Sequence, residues 1–216
     1  MHIPDGFLDP RTLAGTAVMG AGAVGYATSR LKRELDEGRI PVLAAMSAFV
    51  FAAQMVNFPI AGGTSGHLLG GALLAILFGP WAACLSLTAV LIIQALVFGD
   101  GGITALGANV LNMAVLGTLA GYLTYRLLGR RPTGFRPAAA FVASWVSVVV
   151  AAVAAALELA LAGAIPLRVA LPAMAFWHAL IGLGEGVITT AILAYLARVR
   201  PSLLGVLRPE SAELPS

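Results

Sequence analysis

Long apolar runs alternate with short loops rich in glycine, proline and charge, and this alternation predicts the architecture. Residues 13–29 form the first run, closed by the polar stretch RLKRELDEGR. The second covers residues 40–58 and stops at Pro59; the third, residues 67–78, stops at Gly79 and Pro80. Residues 81–98, 108–128, 138–162 and 173–197 complete the set. Runs near ~20 residues with few charges read as membrane-spanning helices. The third run is short for a span, so either its glycine-rich lead-in dips into the bilayer or the third and fourth runs form a re-entrant hairpin. The expectation is all-α: a polytopic bundle of about seven helices, with residues 1–200 as one transmembrane domain. Residues 1–12 form its N-terminal loop and residues 201–216 a cytoplasmic tail.

Composition agrees. The chain is 59% hydrophobic and 11% charged, where soluble domains carry about 25% charged residues. Its mean hydropathy is +0.92. The pI near 9.5 invites a nucleic-acid reading, but the basic residues sit in loops between spans, where they set orientation. With the loop at residues 30–39 inside, the inner face collects Arg30, Lys32, Arg33, Arg39, Arg126, Arg130, Arg131, Arg136, Arg198, Arg200 and Arg208, leaving only Arg11 and Arg168 outside. The N-terminus is therefore expected outside and the C-terminus inside a multi-pass cell-membrane protein. The single Cys84 allows no internal disulfide. The polar lead carries Asp5 and Asp9 where a secretory signal has basic residues, so Met1 and His2 are expected to persist.

Candidate chemistry concentrates in MHIPDGFL and GTSGHLLGG. The Met1 amine, the His2 backbone nitrogen and the His2 imidazole can close a five-membered and a six-membered chelate ring on one ion. If His67 adds a fourth nitrogen, the set is planar, which suits Ni(II) or Cu(II) better than tetrahedral zinc. Pro4 and Gly6 shape the loop, and Asp5 and Ser65 flank the ligands as supporting candidates. Gln54 and Asn57, three apart, share a helix face near the outer end of the second run. Asn109 and Asn112 repeat that spacing in the fifth, and Gln94 lies in the outer half of the fourth. These amides either hold the N-terminal loop, which would fix imidazole orientation, or bond helix to helix. His178 and Glu185 lie seven apart on one face of the last run as intramembrane ionisable groups; Glu158 reads as structural. Gly20, Gly22 and Gly25 match G-x-G-x-x-G inside an apolar run, where small residues for helix contact explain them better than a dinucleotide. Neither a P-loop nor H-E-x-x-H occurs. Ala44, Ala48 and Ala52 form a small-residue stripe suited to helix contact, within the chain or with a partner.

With MHIPDGFL, AAMSAFVFAAQMVNFPI, GTSGHLLGG, ALGANVLNMAVLG and HALIGLGEGVIT in view, the chain resembles the CbiM/NikM family of substrate-binding membrane subunits (S components) of cobalt and nickel energy-coupling-factor transporters. The resemblance covers Met1 to about Arg200. It implies a six-helix core plus an extra N-terminal helix, with Met1, His2 and His67 as metal ligands. It implies partners as well: a transmembrane coupling subunit, two cytosolic ATPases and a small accessory membrane protein, with the alanine stripe as the docking surface. The expected function is non-enzymatic capture of Ni(II) or Co(II) as transported substrate, nickel first, with no organic cofactor. Two other classes stay open. One is a self-sufficient secondary transporter using His178 and Glu185 as a proton relay; the other is an intramembrane enzyme built on the same pair.

Overall fold

The computed structural model describes residues 1–34, 37–128 and 136–207. Arg130, Arg131 and Arg208, counted above for orientation, lie outside the described residues, as does the tail beyond residue 207. The described residues form seven helices: α1 (Pro10–Glu34), α2 (Ile40–Gln54), α3 (Gly71–Phe78), α4 (Pro80–Phe98), α5 (Leu106–Leu128), α6 (Pro137–Leu161) and α7 (Leu167–Val199). Between α2 and α3, Phe58–Pro59 pairs antiparallel with Ser65–Gly66 in a two-stranded ribbon. Helices α4 to α7 are long and apolar enough to cross a membrane, and the chain is a multi-pass membrane protein.

Punctuation by Gly and Pro sets the helix boundaries. Gly79, at φ 85°, separates α3 from α4, and Pro80 begins α4 where its missing N–H costs nothing. Pro137 begins α6 in the same way. Four boundaries differ from expectation by four residues or more: α1 runs on to Glu34 rather than closing at residue 29, and α3 begins at Gly71 rather than residue 67. Helix α2 stops at Gln54 rather than running to residue 58, because the residue before Pro59 is pushed to extended backbone and joins the ribbon. Helix α7 starts at Leu167 and takes Pro172 inside it; near the N-terminus this proline leaves only the Arg168 carbonyl without its helical donor.

The short third run holds only eight helical residues, Gly71–Phe78, and its glycine-rich lead-in is not helical. At one end of the bundle the Arg39 guanidinium donates to the carbonyls of Leu77 and Leu203, each at 2.7 Å, tying the end of α3 to the start of α2. At the opposite end the lead-in meets the N-terminal residues, Ser65 at Met1 and His67 at His2, and these in turn reach Gln94 on α4 and Asn109 on α5. Irregular backbone within a bilayer is tolerable only when enclosed by protein, and every residue from Gly71 to Leu77 is buried. The Leu203 contact also shows residues 201–204 packed on this end.

Small residues let the helices close up. An added Cβ on Gly20 would lie 2.9 Å from the Gly107 carbonyl oxygen, and one on Gly107 would lie 2.5 Å from the Ala17 Cα, so α1 and α5 cross there nearly backbone to backbone. Gly22 and Gly25 face open space and take no part.

Candidate metal centre

Chain termini usually fray, yet here Met1, Ile3 and His2 are buried, His2 to 3% exposure. Hydrogen bonds account for it. The Met1 amine donates to the Ser65 carbonyl and to Ser65 Oγ, the latter at 2.9 Å, and the His2 N–H donates to the same Oγ at 3.2 Å. Asn109 grips Ile3 from both sides: the Ile3 N–H donates to Oδ1 at 2.8 Å and Nδ2 donates to the Ile3 carbonyl at 3.1 Å. Gly102 N–H donates to that carbonyl at 2.9 Å. Farther out, the Asp5 carboxylate accepts from the N–H groups of Ile103 and Thr104 and from the Thr104 hydroxyl. These donors hold the Asp5 carboxyl below its ordinary pKa. The loop between α4 and α5 is in this way sewn to the N-terminal residues.

What remains at the centre is a set of uncommitted nitrogen lone pairs. Burial lowers the Met1 amine pKa to about 4, so the group is neutral near pH 7; its two N–H groups serve Ser65, and its lone pair is free. His2 is likewise held neutral by burial, with its pKa lowered to about 3. Its Nε2–H donates to Gln94 Oε1 at 3.1 Å, which fixes the tautomer and leaves Nδ1 with no hydrogen-bond partner. That nitrogen is the one a six-membered ring through the backbone nitrogen requires. In His67, Nδ1–H donates to the Leu68 carbonyl at 2.7 Å and Nε2 is buried without a partner. The His2 and His67 rings lie with centroids 4.5 Å apart. Two imidazoles at right angles on one ion, each bound at about 2.1 Å, have centroids roughly that far apart; reaching that arrangement requires the 24° stack to open. Among the described residues no three His, Cys, Asp or Glu side chains gather into a metal cluster. The candidate site instead offers an amine, a backbone nitrogen and two imidazoles.

The other candidates divide. Gln94, Asn109, Ser65 and Asp5 all hold the N-terminal loop or its neighbours, as described. Gln54 Nε2 donates to the Leu69 carbonyl at 2.6 Å and so holds the lead-in that carries His67. Asn57 is not on Gln54's helix face, since α2 has already ended; it is exposed and donates to Asp100 Oδ2 at 2.9 Å. Asn112 does not reach the loop: its Nδ2 donates to Glu158 Oε2 at 2.6 Å, a bond from α5 to α6. His178 Nδ1–H donates to the Met174 carbonyl at 2.7 Å, and its Nε2 is buried and unpartnered. Glu185 instead receives the N–H groups of Leu69 and Gly70. The two side chains are thus committed to different backbone groups, which removes the basis for a relay between them. Residues overlooked in the sequence are Asp100, whose Oδ1 lies 3.4 Å from His2 Nδ1, and Glu185 as the anchor of the lead-in. A DG pair at the end of an apolar run carries no distinctive signal, and Glu185 binds backbone, which no motif records.

A pH prediction follows from these protonation states. Because the folded-state pKa values of the amine and of His2 lie near 4 and 3, neither group has a proton to lose at pH 7. Only the His2 backbone N–H must then be displaced, so binding should release about one proton per ion and the logarithm of affinity should rise with pH at a slope near one. Titration calorimetry in buffers of different ionisation enthalpy measures the number; three protons would show that the amine and imidazole are charged before binding.

Helical spans closed at one end by a buried, nitrogen-rich N-terminus describe a polytopic membrane protein with a candidate metal centre. The chain belongs to the CbiM family: the profile described as "Cobalt uptake substrate-specific transmembrane region" matches residues 2–203. The "Fused nickel transport protein NikMN" of Rhodobacter capsulatus is 40% identical over 230 residues, covering 98% of this chain and 66% of its own. A relative from Archaeoglobus fulgidus with the same NikMN designation is 45% identical over 206 residues, covering 94% of this chain and 68% of its own. A CbiM-designated relative from Methanocorpusculum labreanum is 34% identical, covering 99% of this chain and 96% of its own. The chain thus spans about two thirds of the fused relatives and nearly all of the unfused one. The crystal structure of a truncated transition metal transporter superposes with a TM-score of 0.87 at 40% identity, covering 92% of this chain and 99% of that one.

Proposed function

We propose that this chain is the ion-binding membrane subunit of an ATP-driven nickel or cobalt importer, taking up the ion through Met1, His2 and His67. The observation that carries the reading is the burial of a neutral N-terminal amine beside two imidazole nitrogens left without partners. Nickel is the first choice, because a deprotonated backbone nitrogen in a planar set suits Ni(II); Co(II) follows. The names of the relatives, nickel for some and cobalt for others, support the pair without choosing between them. The bias of basic residues supports an outer position for the N-terminal end of the bundle, and the ion is then taken from the outer face. Release inward requires the N-terminal loop to withdraw, since that loop carries three of the four donors.

The energy source is assigned to partners: a transmembrane coupling subunit and two cytosolic ATPases, with a small accessory membrane protein alongside. Ala44, Ala48 and Ala52 are exposed on α2, and the first two line an open apolar groove of about 560 Å³ between α2 and α4. A close helix partner fits such a surface, which supports it as the docking site. Vesicles carrying this chain with its partners should accumulate Ni(II) only with ATP inside, and Ala48→Leu should abolish uptake while leaving ion binding intact. Accumulation by this chain alone under a proton gradient would instead mark a self-sufficient secondary transporter.

A further inference from the structure

We propose that Asp100 captures the divalent ion before the nitrogen donors close on it, an inference that rests on the metal-import reading above. Its Oδ1 lies 3.4 Å from His2 Nδ1. With the imidazole proton assigned to Nε2, which faces Gln94 Oε1, a lone pair on Nδ1 faces a carboxylate oxygen with no hydrogen between them. Two acceptors held in this way leave a gap that a cation fills. Two donors about 2.1 Å from a shared ion, at an angle near 110°, are about 3.4 Å apart, so the observed separation is already that of a shared ligand pair.

Position and support fit the same role. The Asp100 side chain is 15% exposed and that of His2 only 3%, so the carboxylate reaches from solvent to the innermost donors. It is close enough to the Met1 amine to act on it electrostatically. The exposed Asn57 holds the second carboxylate oxygen at 2.9 Å, and the Asp100 N–H donates to the Gln94 carbonyl at 3.0 Å. Gly99 and Gly101, at φ 64° and 94°, permit the turn that aims the side chain. An added Cβ on Gly101 would come within 3.2 Å of the His2 ring, so the close approach also needs glycine there. A hydrated cation meets a charged oxygen first, and the pair Asp100 and His2 Nδ1 can hold it while the backbone proton leaves and His67 turns in. Asp100 is then a capture ligand, absent from the final planar set.

The test is stopped-flow association of Ni(II) with the full chain, native N-terminus intact, at low and high ionic strength, with dissociation measured by chelator chase. Asp100→Asn should slow association about tenfold at low ionic strength, the lower end of what a focusing charge contributes. It should leave dissociation within about twofold and stoichiometry at one ion per chain, while Asp100→Glu recovers most of the rate. Unchanged association overturns the proposal; so does loss of stoichiometric binding, which would make Asp100 a member of the final set. If Asp100→Asn fails to fold, Asn57→Ala, a surface change that only loosens the carboxylate, is expected to slow association, and an unchanged rate there overturns the proposal. Absence of binding by the unaltered chain would instead defeat the import reading itself.

Discussion

A chain carrying one extra residue ahead of Met1 is expected to lose His67-dependent Ni(II) or Co(II) binding, although every side chain of the site is intact. The extension converts the Met1 amine into a peptide nitrogen and moves the free amine one residue away from His2. The five-membered ring between amine and His2 backbone nitrogen can then no longer form with its present partners. There is also no room: Met1 is fully buried, and its amine spends its donors on Ser65. Loss of a supporting contact around a bound metal already costs 10–100-fold in affinity, so loss of a ligand should exceed a hundredfold. The bundle itself should remain folded, because the two hydrophobic cores are built almost wholly from the helices. Metal content after purification and titration of the metal-free protein both report the result. Because the extension places His2 third, where a new amine, two peptide nitrogens and the His2 imidazole can chelate Ni(II) by themselves, the readout is binding that still depends on His67, and its retention would remove the Met1 amine from the site.

His67→Ala is expected to have an effect of similar size for a different reason. In the proposed donor set His67 is the one member outside the N-terminal loop, so it would join that loop to the bundle through the ion. Without it the three remaining donors all lie on one short segment, and more than a hundredfold loss is again expected. The lead-in should stay in place, since Leu69 and Gly70 still donate to Glu185 and Gln54 still holds the Leu69 carbonyl. A normal unfolding temperature combined with lost binding would therefore separate ligation from structure. Binding that persists in His67→Ala would direct attention to His178, whose Nε2 is also buried and unpartnered.

The helical architecture was legible because bilayer thickness and backbone hydrogen bonding leave few alternatives for a long apolar run. Legibility failed where spacing alone was used to assign a face. Gln54 and Asn57 were read on one helix, but Pro59 ends that helix early, and Asn57 turns instead to Asp100. Asn109 and Asn112 do sit on one helix, yet part of that helix is π-helical, Val110–Gly117. A wider turn changes which residues share a face, and Asn112 meets Glu158 while Asn109 meets Ile3. The last turn of α4, Gln94–Phe98, is π-helical too, so both helices that present amides to this end depart from regular spacing near them. The pairing of Glu185 with the lead-in depends on two segments more than a hundred residues apart, and no local pattern encodes that. The chelate was readable because its donors are consecutive in the chain.

The most direct measurement is the coordination shell of bound Ni(II), by X-ray absorption together with magnetic susceptibility, in protein with its native N-terminus. The account predicts a four-coordinate, all-nitrogen, planar and diamagnetic ion. A six-coordinate, oxygen-rich and paramagnetic ion would contradict it, as would a shell containing the sulfur of Met1.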